Sequence, residues 1–250
     1  MLQSHLIPAE VYRHIRASTG KNRNPALISE TCVITTSRQA KQALLCAGCE
    51  NLFNNRGERW TLSQMRRQDR KFELKAYVQN VCNPIVRVGD TTLMNGPARI
   101  DQIAYFALSV FWRAAVASWK LSKTEAIGID LGSYEQALAA YLKDEKALPP
   151  SIALGIRVVL NPISEQLVKL PSLQQRLGAI RCYDFQIPGI HFCMWIGSQL
   201  ADGWLDFCAV RTGRVFTVPG IEADHLYAVA ETLRRVKLRG RPGPAPNSAS

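Results

Sequence analysis

A chain of 250 residues with 31 Lys and Arg against 20 Asp and Glu carries a formal net charge of +11 at pH 7. Its 47% hydrophobic and 20% charged residues supply a sizeable buried core and exclude an intrinsically disordered chain. The charge is uneven: residues 1–80 hold 13 basic and 6 acidic side chains, which points to a polyanionic partner, nucleic acid ahead of a membrane surface.

SHLIP (4–8) places a histidine at a terminus that frays unless something ties it down. After Pro8, Val11 and Ile15 are spaced as one face of a short helix over 9–17. TGKNRNP (19–25) reads as a loop and TCVITT (31–36) as a short β-branched strand. QALL (42–45) leads into Cys46, with a helix over 50–55. Residues 56–75, seven basic and three acidic, include a largely solvated helix near 62–71. Asn83-Pro84 and Asn95-Gly96-Pro97 are breakers that set a boundary within 80–97.

A long helix over 98–121 is apolar on nearly all sides and so belongs at the centre of the core. Its apolar run 103–119 is shorter than the ~20 residues a membrane span requires and contains Arg113, so no membrane association is expected. A buried arginine needs a carboxylate or backbone partner, which makes Arg113 a structural ion pair. SYEQALAAYLKD (133–144) is a second helix. Runs of β type at 152–160, 179–186, 190–196, 204–210 and 214–218, with short links such as RTGR (211–214), predict an antiparallel sheet with hairpins. An amphipathic helix over 222–238 and a disordered Pro/Gly/Ser-rich tail over 239–250 follow. The expected class is α+β: a small module over 1–80, a companion domain over 81–238, and the tail.

Seven scattered cysteines and no apolar secretory segment at the start point to a reducing cytoplasm. LLCAGCE (44–50) is the sharpest local feature, since two cysteines two residues apart let both sulfurs reach one ion from a tight turn. The bland alternative is two small residues at a helix start. His191 reads as a structural histidine on a strand, and Cys182, Cys193 and Cys208 as small buried hydrophobes. His225 has no visible partner, and Arg234, Arg235, Lys237, Arg239 and Arg241 form a helix-end cluster that complements the macrodipole.

SHLIPAEVYR (4–13), LLCAGCENLF (44–53) and ALSVFWRA (107–114) together resemble the HNH-type, ββα-metal (treble-clef) endonucleases, and more narrowly a bacterial group with SHIIP…YR, LLCxxCE and SxxWR motifs. The resemblance implies a treble-clef N-terminal module that hydrolyses phosphodiester bonds with Mg²⁺ or Mn²⁺. His5 matches the general base, Glu50 the position of the last metal-ligating histidine, and Cys46 and Cys49 the second pair of a structural zinc site. A carboxylate is a suitable ligand for such hard cations. The family's middle asparagine has four candidates, Asn22, Asn24, Asn51 and Asn54. Its first zinc pair has no counterpart ahead of His5, which leaves a truncated start or a degenerate knuckle held by packing.

Arg56, Arg59, Arg66, Arg67, Arg70, Lys71 and Lys75 come directly after the knuckle and either neutralise phosphates, with DNA ahead of RNA, or form a solvated face. Three functions are compatible with these residues: a metal-dependent endonuclease, a catalytically degenerate module that binds nucleic acid or protein, and an interaction protein that works through its C-terminal sheet.

Overall fold

The computed structural model describes residues 1–18, 26–28, 33–35, 39–67, 69–97, 99–120, 126–162, 167–198 and 200–218. The loop read at 19–25, the helix at 222–238, the tail, Asn22, Asn24, Cys32, His225 and the arginine-rich C-terminal cluster lie outside those residues.

The chain begins with β1 (Leu2–His5) and α1 (Ala9–Ser18), then β2 (Ala26–Ile28), β3 (Val33–Thr35) and β4 (Lys41–Leu45). β1 and β4 pair antiparallel as a separate two-stranded sheet, with Ser4 opposite Gln42 and His5 opposite Lys41. α2 (Ala47–Phe53) follows β4 at once and runs through a π-helical turn (Asn54–Glu58) into α3 (Arg59–Gln64). The helix near 62–71 is instead two helices, with α3 ending at Gln64 and α4 spanning Glu73–Asn80.

β5 (Pro84–Val88) and β6 (Thr91–Asn95) form a hairpin bracketed by the two breaker motifs of 80–97. α5 (Ile100–Val116) is shorter than the predicted 98–121, because Ala117 is already extended and Trp119 belongs to β7 (Trp119–Lys120), paired with β8 (Ala126–Ile127). The Trp119 indole N–H donates to the Arg113 carbonyl at 2.8 Å, which folds the chain back onto the helix end. α6 (Tyr134–Leu142) precedes β9 (Ile152–Val159), β10 (Val168–Leu177), β11 (Ile180–Ile187) and β12 (Ile190–Ile196).

The segment 204–210, expected as a strand, is helical: α7 (Asp202–Asp206) and α8 (Ala209–Thr212) precede β13 (Arg214–Val218). Trp204, Phe207 and Cys208 are spaced i, i+3, i+4 and cover Trp195, Phe216 and the core, a helical period that outweighs the local β-type composition. RTGR is accordingly the left-handed Gly213 cap of α8 rather than a hairpin turn.

The α+β class holds. The large sheet has nine strands in the order β3-β2-β10-β11-β12-β9-β13-β6-β5. It is mixed rather than antiparallel: β10, β11, β12 and β9 form an antiparallel run, while β13 pairs parallel with β9 and β2 parallel with β10. One face carries Phe185 and Phe192, stacked at 4.6 Å, and Phe106 and Phe111 of α5 pack edge-on against them. The turn between β11 and β12 is Pro188-Gly189, and Gly189 sits at φ +82 with the Phe72 ring where a Cβ would lie. The hydrophobic core is continuous from Leu6 and Ile7 through α5 to the sheet.

Candidate functional site: a two-histidine pocket beside the first strand

β1 and β4 followed by α2 make a ββα arrangement that divides the first residues between two faces. Ser4 is fully buried and its hydroxyl donates to Glu50 Oε2 on α2 at 2.9 Å. His5, next along the strand, points to the other side. Leu6 and Ile7 are fully buried and the Leu6 N–H bonds to the Ala40 carbonyl at 3.0 Å, so the terminus is anchored.

The strongest tie comes from 108 residues away. Arg113, 1% exposed on α5, donates from Nη1 to the His5 carbonyl at 2.9 Å and from Nη2 to Glu58 Oε2 at 3.2 Å. The arginine of the WR motif thus has both a carboxylate and a backbone partner, and it joins β1, the π-helical turn and the core helix.

His5 lines a pocket of about 510 Å3. Its second histidine is His14 of α1, one turn after Glu10, whose Oε1 lies 3.3 Å from His14 Nε2. Glu10 also accepts from Arg13 at 3.0 Å. Asn54, Glu58 and Arg59 reach the pocket from the π-helical turn and the start of α3, and Arg67 from beyond α3. Three polar atoms on these residues are buried without a hydrogen-bond partner among the described residues: His5 Nε2, His14 Nδ1 and Arg67 Nε. Burial and then the Lys41 charge push the His5 imidazole below its ordinary value, against weaker opposite effects from Gln39, Glu58 and Glu50. Burial thus favours the uncharged form of His5, whose Nε2 has no hydrogen-bond partner among the described residues.

The other expected site residues disperse. Cys46 is exposed and acts as the N-cap of α2, its sulfur accepting the Cys49 N–H at 3.4 Å, while Cys49 is half-buried against the core. That bond holds the Cys46 thiol below its ordinary value, and the neighbouring sulfur pushes Cys49 up. Glu50 is bonded to Ser4 and does not line the pocket. Among the described residues, no three His, Cys, Asp or Glu side chains are grouped so as to hold a metal ion. Cys46 and Cys49 thus have no third such donor grouped with them among the described residues, Glu50 included.

Of the basic stretch, Arg59 and Arg67 are in the pocket. Arg56 instead pairs with Asp144 and lies 5.0 Å over the Tyr105 ring, whose hydroxyl burial pushes up to about 12. The Arg66 N–H bonds to the Pro188 carbonyl at 3.1 Å. Arg70 and Lys71 are exposed in a turn closed by the Arg67 N–H to the Lys71 carbonyl at 2.8 Å. Lys75 donates to the Leu160 carbonyl. Of the asparagines open to comparison, Asn54 lines the pocket, whereas Asn51 bonds Asn55 at the surface.

Glu10, Arg13, His14 and Glu58 were not singled out as site residues from sequence. The available signal was the Glu10–His14 spacing of four, placed on the helix that follows SHLIP. No helix among the described residues is long and apolar enough to cross a membrane. No protein-family model, curated protein or solved structure matches the chain.

Proposed function

We propose that this protein cleaves phosphodiester bonds of nucleic acid at the pocket beside β1, with His5 taking the proton of the attacking nucleophile. The observation that carries the reading is His5 Nε2, a buried nitrogen without a hydrogen-bond partner among the described residues, on a residue that lines the pocket. Arg59, at the mouth of α3, supplies a guanidinium suited to a phosphate oxygen, and Asn54 an amide able to bond a ligand oxygen. The basic surplus of residues 1–80 favours a polyanion reaching this pocket. Cytoplasmic residence accords with the six free cysteines among the described residues.

The test is cleavage of single- and double-stranded DNA and RNA by the full chain in Mg²⁺, Mn²⁺ or chelator. His5→Ala lowers the rate on the order of 10²–10⁴-fold while far-UV circular dichroism is unchanged. Equal rates for the variant and the parent refute the reading. A second reading is a binding module without turnover, favoured by the lack of a group of three metal-type donors among the described residues. It predicts salt-sensitive binding and no cleavage in any of these conditions.

A further inference from the structure

The pocket holds two imidazoles, each offering one nitrogen that the protein leaves unpaired. His5 Nε2 and His14 Nδ1 are both buried and both without a hydrogen-bond partner among the described residues. A buried polar atom left in this state is destabilising unless a water or a ligand completes it. Glu10 holds the opposite nitrogen of His14, so the second proton of an imidazolium there sits on Nδ1, the free position. Glu10 and Glu58 are occupied by Arg13 and His14 and by Arg113 respectively. Arg59 has no ion pair among the described residues. The pocket therefore offers two unpaired imidazole nitrogens and a cation, with its carboxylates already paired.

That set suits transfer of a phosphoryl group to a hydroxyl already carried by the substrate. A neighbouring hydroxyl is present at a high effective concentration and needs no capture of water. We propose that the substrate is RNA and that the pocket cleaves it by internal transfer, with His5 as general base and His14 as general acid. This rests on the reading of His5 given above and adds the nucleophile, the substrate class and a second catalytic residue. His5 Nε2 takes the proton of the 2′-hydroxyl as O2′ bonds to phosphorus. The P–O5′ bond breaks, and O5′ takes the proton from His14 Nδ1. The products are a 2′,3′-cyclic phosphate and a 5′-hydroxyl, and exchange with water returns each ring to its starting protonation. Arg59 balances the charge that builds on the phosphoryl oxygens.

The experiment compares an oligoribonucleotide with its fully 2′-deoxy counterpart, both in chelator, using the full chain. The ribo strand is cut to ends bearing cyclic phosphate, and the deoxy strand is left intact. His14→Gln, which can keep a bond to Glu10, slows ribo cleavage on the order of 10²–10⁴-fold. The same variant cuts a strand with sulfur at the 5′-bridging position at nearly the parent rate, because a thiolate leaves without a proton. Equal slowing on both strands makes His14 merely structural and overturns the assignment. Deoxy cleavage that depends on His5 overturns the inference and leaves the broader reading standing. Cleavage indifferent to His5→Ala removes both, and no cleavage of RNA overturns the inference. The comparison of ribo and deoxy strands uses the unaltered chain, so it decides the matter even where a variant folds poorly.

Discussion

Replacing Arg113 by methionine tests whether one buried guanidinium holds the first strand in place. Methionine preserves much of the volume and removes the charge, the bond to the His5 carbonyl and the bond to Glu58. The Glu58 side chain is 22% exposed, so its stranded carboxylate is partly relieved by water. Breaking a buried pair costs about 3–5 kcal/mol. The exposure of Glu58 places that term at the low end, and the lost carbonyl bond adds about 1 kcal/mol. The expected destabilisation is about 3–4 kcal/mol, which for a chain of this size lowers Tm by roughly 10 °C. Urea denaturation followed by circular dichroism measures it. Adding Glu58→Gln to Arg113→Met removes the stranded charge and recovers about 1–2 kcal/mol. A loss below about 1 kcal/mol in Arg113→Met, or no recovery in the double variant, refutes the role of this contact.

The face of the large sheet turned away from α5 sets the pH dependence of stability. Asp184 is fully buried and accepts from Lys169 at 2.6 Å and His191 at 2.9 Å. Burial pushes its carboxyl up, but these partners outweigh it and hold it at about 2, so its stabilisation is present above the unfolded value of about 3.9 and disappears as pH falls toward 2. Burial pushes His191 down, but the Cys193 sulfur and Asp184 raise it to about 9, so its stabilisation is full below about 6.5 and disappears as pH rises through 9. A scan of Tm against pH then falls at both ends, and Asp184→Asn flattens both limbs; an unaltered profile in that variant contradicts the assignment. Gly57→Ala places a Cβ 2.7 Å from the Phe106 backbone nitrogen and 2.9 Å from the Gln102 carbonyl oxygen. The expected loss is about 1–3 kcal/mol in urea denaturation, and wild-type stability would show that α5 can retreat at no cost.

The legible parts of the fold were those with a local cause. The apolar α5, the short helix after Pro8 and strands β9, β11, β12 and β13 follow from periodicity and punctuation. β10 is absent from the sequence reading, and its Pro171 sits where the β10–β11 register shifts and a ladder bond is dispensable. The mixed order of the sheet depends on pairing between strands far apart in sequence, which no local window contains. At the site, SHLIP and WR were visible as motifs, but the bond from Arg113 to the His5 carbonyl was not. His14 gains its importance only from the pocket that α1 and α3 enclose. Charge density alone did not separate Arg59, which faces the pocket, from Arg56, whose partner Asp144 lies 88 residues on.

The π-helical turn between α2 and α3 also makes the pocket sensitive to chain length. It joins two helical segments without a break, so the direction of every side chain after it depends on the residue count through 54–58. Inserting one residue there would rotate α3 by about 100° about the helix axis relative to α2. Glu58 would leave Arg113 and Arg59 would leave the pocket, although no pocket residue had been changed. Single-residue insertions in this turn should therefore be far more damaging than most substitutions on its exposed side, a pattern that a library of insertions and deletions would reveal.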